Sequence, residues 1–226
     1  GNNYTPVAFF GSDQVIDSPT NNFATLNPTV HTSTKGTTAQ GNLAKTTVEN
    51  GRVGSSFLMS SGKWYWEVRP YNSGVGNAYI GVVDPSLVTD LVATAGGGFW
   101  RHTGAVIGRS PTTSISSWTQ NDILGFAYDA DNDTIKFYKN GTAQNSGTAY
   151  SITNGGAKIV AARSQSNDYL AFNFGQDVSF VGNISATGNA DENGQGEFYY
   201  TPPSGYLALC SANLPAPAID PAEDDT

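Results

Sequence analysis

Gly62-Lys63-Trp64-Tyr65-Trp66-Glu67-Val68, Asp122-Ile123-Leu124-Gly125-Phe126-Ala127-Tyr128-Asp129 and Thr134-Ile135-Lys136-Phe137-Tyr138-Lys139-Asn140-Gly141 decide the fold of this 226-residue chain. In the first stretch Trp64, Trp66 and Val68 alternate with Lys63, Tyr65, Glu67 and Arg69. In the third, Ile135 and Phe137 alternate with Lys136 and Tyr138. A period of two places the two sets on opposite faces of a strand. Trp64, Trp66, Phe126, Phe137, Phe172 and Phe174 take inward positions and form the candidate core. Asn140-Gly141, where both residues tolerate positive φ, is the strongest hairpin signal.

Strand patterns recur over 63–69, 78–83, 98–107, 123–129, 134–139, 157–163 and 169–174, bounded by Gly, Asn, Asp and Pro. Short strands at such spacing imply an all-β, antiparallel β-sandwich. Upstream, short strands are expected at 7–10 and 23–26, and a hairpin at Asn50-Gly51 between 46–48 and 56–59. The chain divides into a flanking segment (1–50), the sandwich (51–182), an extended segment that packs back on it (183–213) and a Pro-rich acidic linker (214–226). With 26 Gly and 13% charged residues, and no apolar 3.6-residue period, little helix is expected. Apolar residues make up 38% and aromatics 12%, enough to fill a core.

Nineteen acids against 11 bases give a net charge of −8, and the bases stand singly along the sequence. Nucleic-acid binding needs clustered bases to neutralise phosphates, so it is not expected. Cys210 is the single cysteine, which excludes an intrachain disulfide. No apolar run approaches the ~20 residues of a membrane-spanning helix, so membrane insertion is not expected. The absence of an initiator methionine at Gly1 is taken as a sign that the chain is a piece of a longer polypeptide.

The order of motifs resembles the SPRY domain. Gly62-Lys63-x-Tyr65-Trp66-Glu67-Val68 is followed by Ile80-Gly81-Val82, by Gly98-Phe99-Trp100-Arg101, by Asn121-Asp122-Ile123-Leu124-Gly125 and by Phe172-Asn173-Phe174-Gly175. The resemblance covers about 63–176 and implies a concanavalin-like jelly roll that binds partners through its loops and does no catalysis. The flanks, at 17–28 and 202–215, resemble segments of SPRY-containing tail and virion proteins of tailed bacteriophages, in which further domains follow, making Thr226 a truncation point. That second resemblance implies a virion location, in a tail fibre or surface appendage, within a larger and oligomeric assembly. The partners would be other virion proteins or a host-surface glycan or protein. The alternative is a cytoplasmic protein-interaction domain that captures a short peptide. A third reading is a carbohydrate-processing enzyme on the same sandwich.

Catalytic and metal chemistry find little footing. Asp129, Asp131 and Asp133 have the spacing that opens a calcium loop, but position 134 is Thr rather than Gly and the twelfth residue, Asn140, is no bidentate carboxylate. A strand-joining turn accounts for them, and no cofactor is implied. A glycosidase needs two carboxylates across one cleft, whereas the five glutamates are dispersed, with Glu67 alone on the solvated face of its strand. His31 and His102 have no nucleophile-elbow motif beside them, and Cys210 lies in an apolar stretch suited to packing. The ligand-binding candidates are therefore Tyr71, Asn72, Phe99, Trp100, Arg101, His102 and Trp118, in or beside loops 70–77, 84–102, 109–121 and 163–168. An aromatic face with Arg and His beside it suits a sugar ring or a peptide.

Overall fold

The computed structural model describes residues 16–18, 20–27, 29, 36–39, 43–47, 51–71, 78–90, 96–108, 113–152, 155–164 and 169–215. The strands are Leu26–Asn27 (β1), Gly36–Ala39 (β2), Ala44–Thr47 (β3), Gly51–Ser55 (β4), Lys63–Pro70 (β5), Tyr79–Val83 (β6), Gly97–Arg101 (β7) and Ala105–Ile107 (β8). They continue with Thr113–Ser114 (β9), Leu124–Asp129 (β10), Thr134–Lys139 (β11), Thr142–Ala143 (β12), Tyr150–Ser151 (β13), Ile159–Ser164 (β14), Tyr169–Asn173 (β15) and Leu207–Ala208 (β16). Among the described residues there is no α-helix, only short 3-10 turns. None is long and apolar enough to cross a membrane.

The strands form two sheets. The smaller runs β1-β4-β14-β6-β7-β8-β9, the larger β12-β11-β10-β5-β15-β3-β2 with β13 beside β11. Apart from a parallel contact of β16 with β5, all the pairings are antiparallel, and the expected jelly-roll sandwich is what forms.

Its core lies between the sheets and grows from one lateral row. Trp66 of β5 faces Phe126 of β10, which faces Phe137 of β11. The Trp66 and Phe126 rings stack at 5.3 Å with 6° between planes, and Phe137 meets Phe126 edge-on at 5.8 Å. From the opposite sheet Trp100 closes the row, 5.6 Å from Phe137 and 6.3 Å from Phe126. Trp64, Phe172 and Phe174 belong to the same cluster. Aromatic pairs in such geometry add to simple area burial.

The C-terminal segment forms a further layer on the outer face of the larger sheet. β15 pairs with β5 only from Glu67 to Pro70, and β16 pairs with Trp64 and Tyr65 at the other end of that strand. Phe198, Tyr206, Ala208 and Cys210 then cover Tyr65 and Ala127. The N-terminal flank joins this layer: Phe23 bridges Cys210, Ala24 N–H donates to the Leu209 carbonyl at 2.8 Å, and Ser211 N–H to that of Asn22 at 2.9 Å.

Three local expectations are corrected. The 98–107 stretch is two strands, β7 and β8, folded back through a turn in which Gly104 N–H donates to the Arg101 carbonyl at 2.8 Å. Gly104 sits at φ 94°, and a Cβ there would lie 2.2 Å from the Ile115 carbonyl oxygen, so the turn requires glycine. Asn50 lies outside the described residues, and the strands on either side of it do not pair as a hairpin, because β3 pairs with β15 in the larger sheet and β4 with β14 in the smaller. At 23–26 the strand begins only at Leu26. Asn140-Gly141 does turn a hairpin, with φ of 48° and 76°. The strand expected at 7–10 and most of the acidic linker lie outside the described residues.

Trp66→Ala should lower the unfolding free energy by ~3–5 kcal/mol, the usual cost of removing a buried large aromatic. Urea denaturation measures it, and an unchanged midpoint would remove Trp66 from the core.

Candidate functional site: the arginine end of the sandwich

The structure separates the sequence-derived candidates. Trp100 is fully buried between the sheets, its Nε1 donating to the Ser116 carbonyl at 3.1 Å. Trp118 is also buried, against the His102 ring at 6.1 Å. Phe99 is buried on the outer face of the smaller sheet with Val83, Val88 and Ile159. None of these three offers a free ring face, so the expected exposed aromatic platform is corrected. Arg101 and His102 follow Trp100 because β7 alternates and then turns, not because the stretch is a loop. Tyr71 is half-buried, its ring 4.4 Å under the Arg69 guanidinium and its hydroxyl donating to the Phe180 carbonyl at 3.1 Å. Burial pushes that hydroxyl up to about 12 against the opposing pull of Arg69. Asn72 lies outside the described residues.

Arg101 and His102 remain accessible. Burial, and then the charge of Arg101, holds the His102 imidazole below its ordinary 6.5, which leaves it neutral at pH 7. Arg101 belongs to a set that the sequence does not announce. Arg52 of β4 faces Arg163 of β14, Arg163 faces Tyr79 of β6, and Tyr79 faces Arg101 of β7. These four side chains form one lateral row on the outer face of the smaller sheet, since their strand neighbours Val53, Ala162, Ile80 and Trp100 fill the core. The Arg101 and Arg163 guanidiniums each lie 5.5 Å from the centre of the Tyr79 ring.

Strand direction explains the gathering. β5, β7 and β14 end, and β4 and β6 begin, at the same end of the sandwich, and Arg69, Arg101, Arg163 and Arg52 are terminal or penultimate residues of their strands. Four of the five arginines therefore converge on one end. Arg69 serves the opposite outer face, where its Nη2 donates to the Asn121 side-chain oxygen at 2.8 Å. The sequence signal that could have found the set is an arginine one step from a loop in strands that share an end.

The calcium-loop spacing belongs to a turn. Asp129 Oδ1 accepts from the backbone N–H of Asp131 and of Asn132, both at 3.1 Å, and Oδ2 accepts from the Asn132 side chain at 2.9 Å. Asp133 Oδ1 accepts from the Tyr128 hydroxyl at 2.9 Å, while Asp131 accepts from Gly62 N–H across the turn at 2.9 Å. Among the described residues no group of three His, Cys, Asp or Glu is placed to hold a metal.

Glu67 is the residue sequence reasoning misplaced most. Instead of facing solvent it is fully buried. Its Oε2 accepts from Tyr199 N–H at 2.8 Å and its Oε1 from Tyr200 N–H at 2.9 Å and from the Tyr65 hydroxyl at 3.1 Å. The partners come from 132 and 133 residues downstream, a distance no local pattern reports. Burial pushes its carboxyl up to about 7, against the pull of these donors. Such a value often marks a catalytic acid, but both oxygens here are occupied by internal donors and the group is sealed beneath the C-terminal segment.

Sandwich, jelly-roll order and loop-clustered charge define a recognition scaffold of SPRY type. The SPRY domain family profile matches residues 63–177, half of the chain, and the chain belongs to that family. Its structure is similar to the SPRY domain of human HERC1, with TM-score 0.55 and 19% identity over 65% of this chain and 96% of that one. It is also similar to the TRIM65 PSpry domain, at TM-score 0.54 and 12% identity over 67% of this chain and 92% of that one. Stonustoxin matches at TM-score 0.54 and 17% identity, over 66% of this chain and 27% of the toxin chain. A comparison with curated proteins gives no match. SPRY domains are generally non-catalytic modules that bind proteins. None of these matches links the chain to bacteriophage tail proteins.

The Glu67 carboxyl, held near 7 instead of 4.5, binds its proton more tightly in the folded chain than in the unfolded one. Its contribution to stability is therefore full below pH 4.5 and is lost as pH rises through about 7, on the order of 3 kcal/mol in total. Urea unfolding between pH 4.5 and about pH 8 should show this loss in the wild type and a flatter profile in Glu67→Gln. Parallel profiles would assign the pH dependence to other groups.

Proposed function

We propose that the chain is a protein-interaction module that engages its partner at the arginine end of the sandwich and catalyses nothing. One observation carries this reading. The chain has 19 acids and 11 bases, yet Arg52 and Arg101 have no carboxylate within ion-pair distance among the described residues. Stabilising the fold does not explain leaving these two arginines without an ion pair among the described residues, whereas a surface waiting for a partner does. Arginine and tyrosine are also the residue types on which binding energy concentrates. The flanking segments at 17–28 and 202–215 favour a finer reading, in which the module belongs to a tail fibre or other appendage of a bacteriophage virion and repeats in many copies. Weak single-site affinity would then be multiplied by avidity.

Panning a displayed library of random 12-residue peptides on the immobilised chain tests the reading. Titrating an enriched peptide into isotope-labelled protein should shift the amide resonances of Tyr79, Arg101, His102 and Arg163. Resonances at the other end, such as Val83, Asp84 and Gly97, should stay in place. Shifts confined to that other end, or no enrichment at all, would contradict it.

A further inference from the structure

We infer that the row Arg52–Arg163–Tyr79–Arg101 is a binding site for an extended acidic peptide that crosses β4, β14, β6 and β7 and presents carboxylates at alternate residues. The inference rests on the reading that this end of the sandwich binds protein, and it names the chemistry of what is bound.

The four residues occupy successive strands in register, so Arg52 and Arg101 are three strand spacings apart. At about 4.8 Å each, that is roughly 14 Å. In an extended peptide, side chains at i, i+2 and i+4 share a face, and residues i and i+4 are also about 13–14 Å apart. Carboxylates at those two positions reach Arg52 and Arg101 together, while the residue at i+2 passes over Arg163 and Tyr79.

The row is built to hold its cations in place. Tyr79 is buried to 8% exposure, and Arg101 and Arg163 both lie against its ring. Ring contact fixes the Arg101 guanidinium plane and leaves its N–H edge for a carboxylate, with less side-chain freedom lost on binding. The Nε groups of Arg52 and Arg101 are buried and have no acceptor among the described residues. Buried donors of this kind are normally satisfied. With Nε turned inward, an incoming carboxylate meets the terminal Nη edge, in the bidentate geometry that guanidinium favours.

Along the strands the next row is Gly54, Ala161, Gly81 and Phe99, where the small residues make room for Val88 and Leu87 of the 3-10 turn Pro85–Asp90. That turn occupies the middle of the sheet face. The peptide is thereby confined to the edge where the arginines stand.

Fluorescence anisotropy with a fluorescein-labelled peptide carrying Asp-Thr-Asp-Thr-Asp in a Gly/Ser frame tests the inference on the whole chain. The Asp peptide should bind at least about tenfold more tightly than its Asn-Thr-Asn-Thr-Asn counterpart, and binding should weaken as salt is raised. Arg101→Gln and Arg52→Gln should each weaken it by about tenfold without moving the melting temperature, and Arg101→Lys should not restore it. Equal affinity for the two peptides, or indifference to both arginine variants, overturns the inference. If library-derived peptides still shift the arginine-end resonances, the protein-binding reading survives that failure. If a heparin disaccharide binds with the arginine dependence and the Asp peptide does not, the site reads a sulfated glycan and the inference is also overturned.

Discussion

Strand β5 has two faces, and among the described residues both are covered. Inward, Trp64, Trp66 and Val68 supply the row on which the opposite sheet closes through Trp100. Outward, Tyr65, Glu67 and Arg69 are not released to solvent. Glu67 anchors the backbone of Tyr199 and Tyr200, Tyr65 packs edge-on against Phe198 at 5.1 Å, and Arg69 ties down the Asn121 turn. A carboxylate is expensive to bury, and the donors that meet the Glu67 oxygens offset that cost only in part, which is why its carboxyl is pushed up to about 7. Phe23 is folded into the same layer through Cys210, which joins the described part of the N-terminal flank to the C-terminal segment.

The sandwich itself was legible because its causes are local. Trp66, Phe126 and Phe137 sit in strands whose period of two is written within seven or eight residues, and Asn140-Gly141 carries its turn geometry in its own backbone preferences. The errors have the opposite origin. Asn50-Gly51 has the same local preference, yet its flanking strands found partners in different sheets, and tertiary pairing overrode the dipeptide. Trp100 is expected at the surface beside Arg101, although on a strand the neighbour of an outward arginine points inward, and Trp118, which is on no strand, is buried against the His102 ring. Glu67 occupies an outward phase and is still buried, because a segment more than 130 residues away covers it. The arginine row is illegible in sequence for the same reason: it exists only once strand order is known.

That row also changes what the charge of the chain implies. Spread along the sequence, 11 bases against 19 acids describe an acidic, soluble surface. Folded, the same chain holds three arginines against one tyrosine row while Lys63, Lys139 and Lys158 pair with carboxylates at 3.5, 3.1 and 3.6 Å. These three lysines serve the fold, bracing the turns beside β10 and β11, and on the proposed reading the row serves recognition. The family supplies the scaffold, and identity to the solved SPRY domains of HERC1 and TRIM65 is only 19% and 12%.

Native-state hydrogen exchange of the Tyr199 and Tyr200 amides, compared with that of Phe126 in β10, tests most directly whether Glu67 binds the C-terminal segment into the domain. If it does, both tyrosine amides exchange only with global unfolding and share the protection of Phe126. Exchange at the rate of an exposed loop, with Phe126 still protected, would show that the segment is a detachable flank and that β5 does not organise the whole.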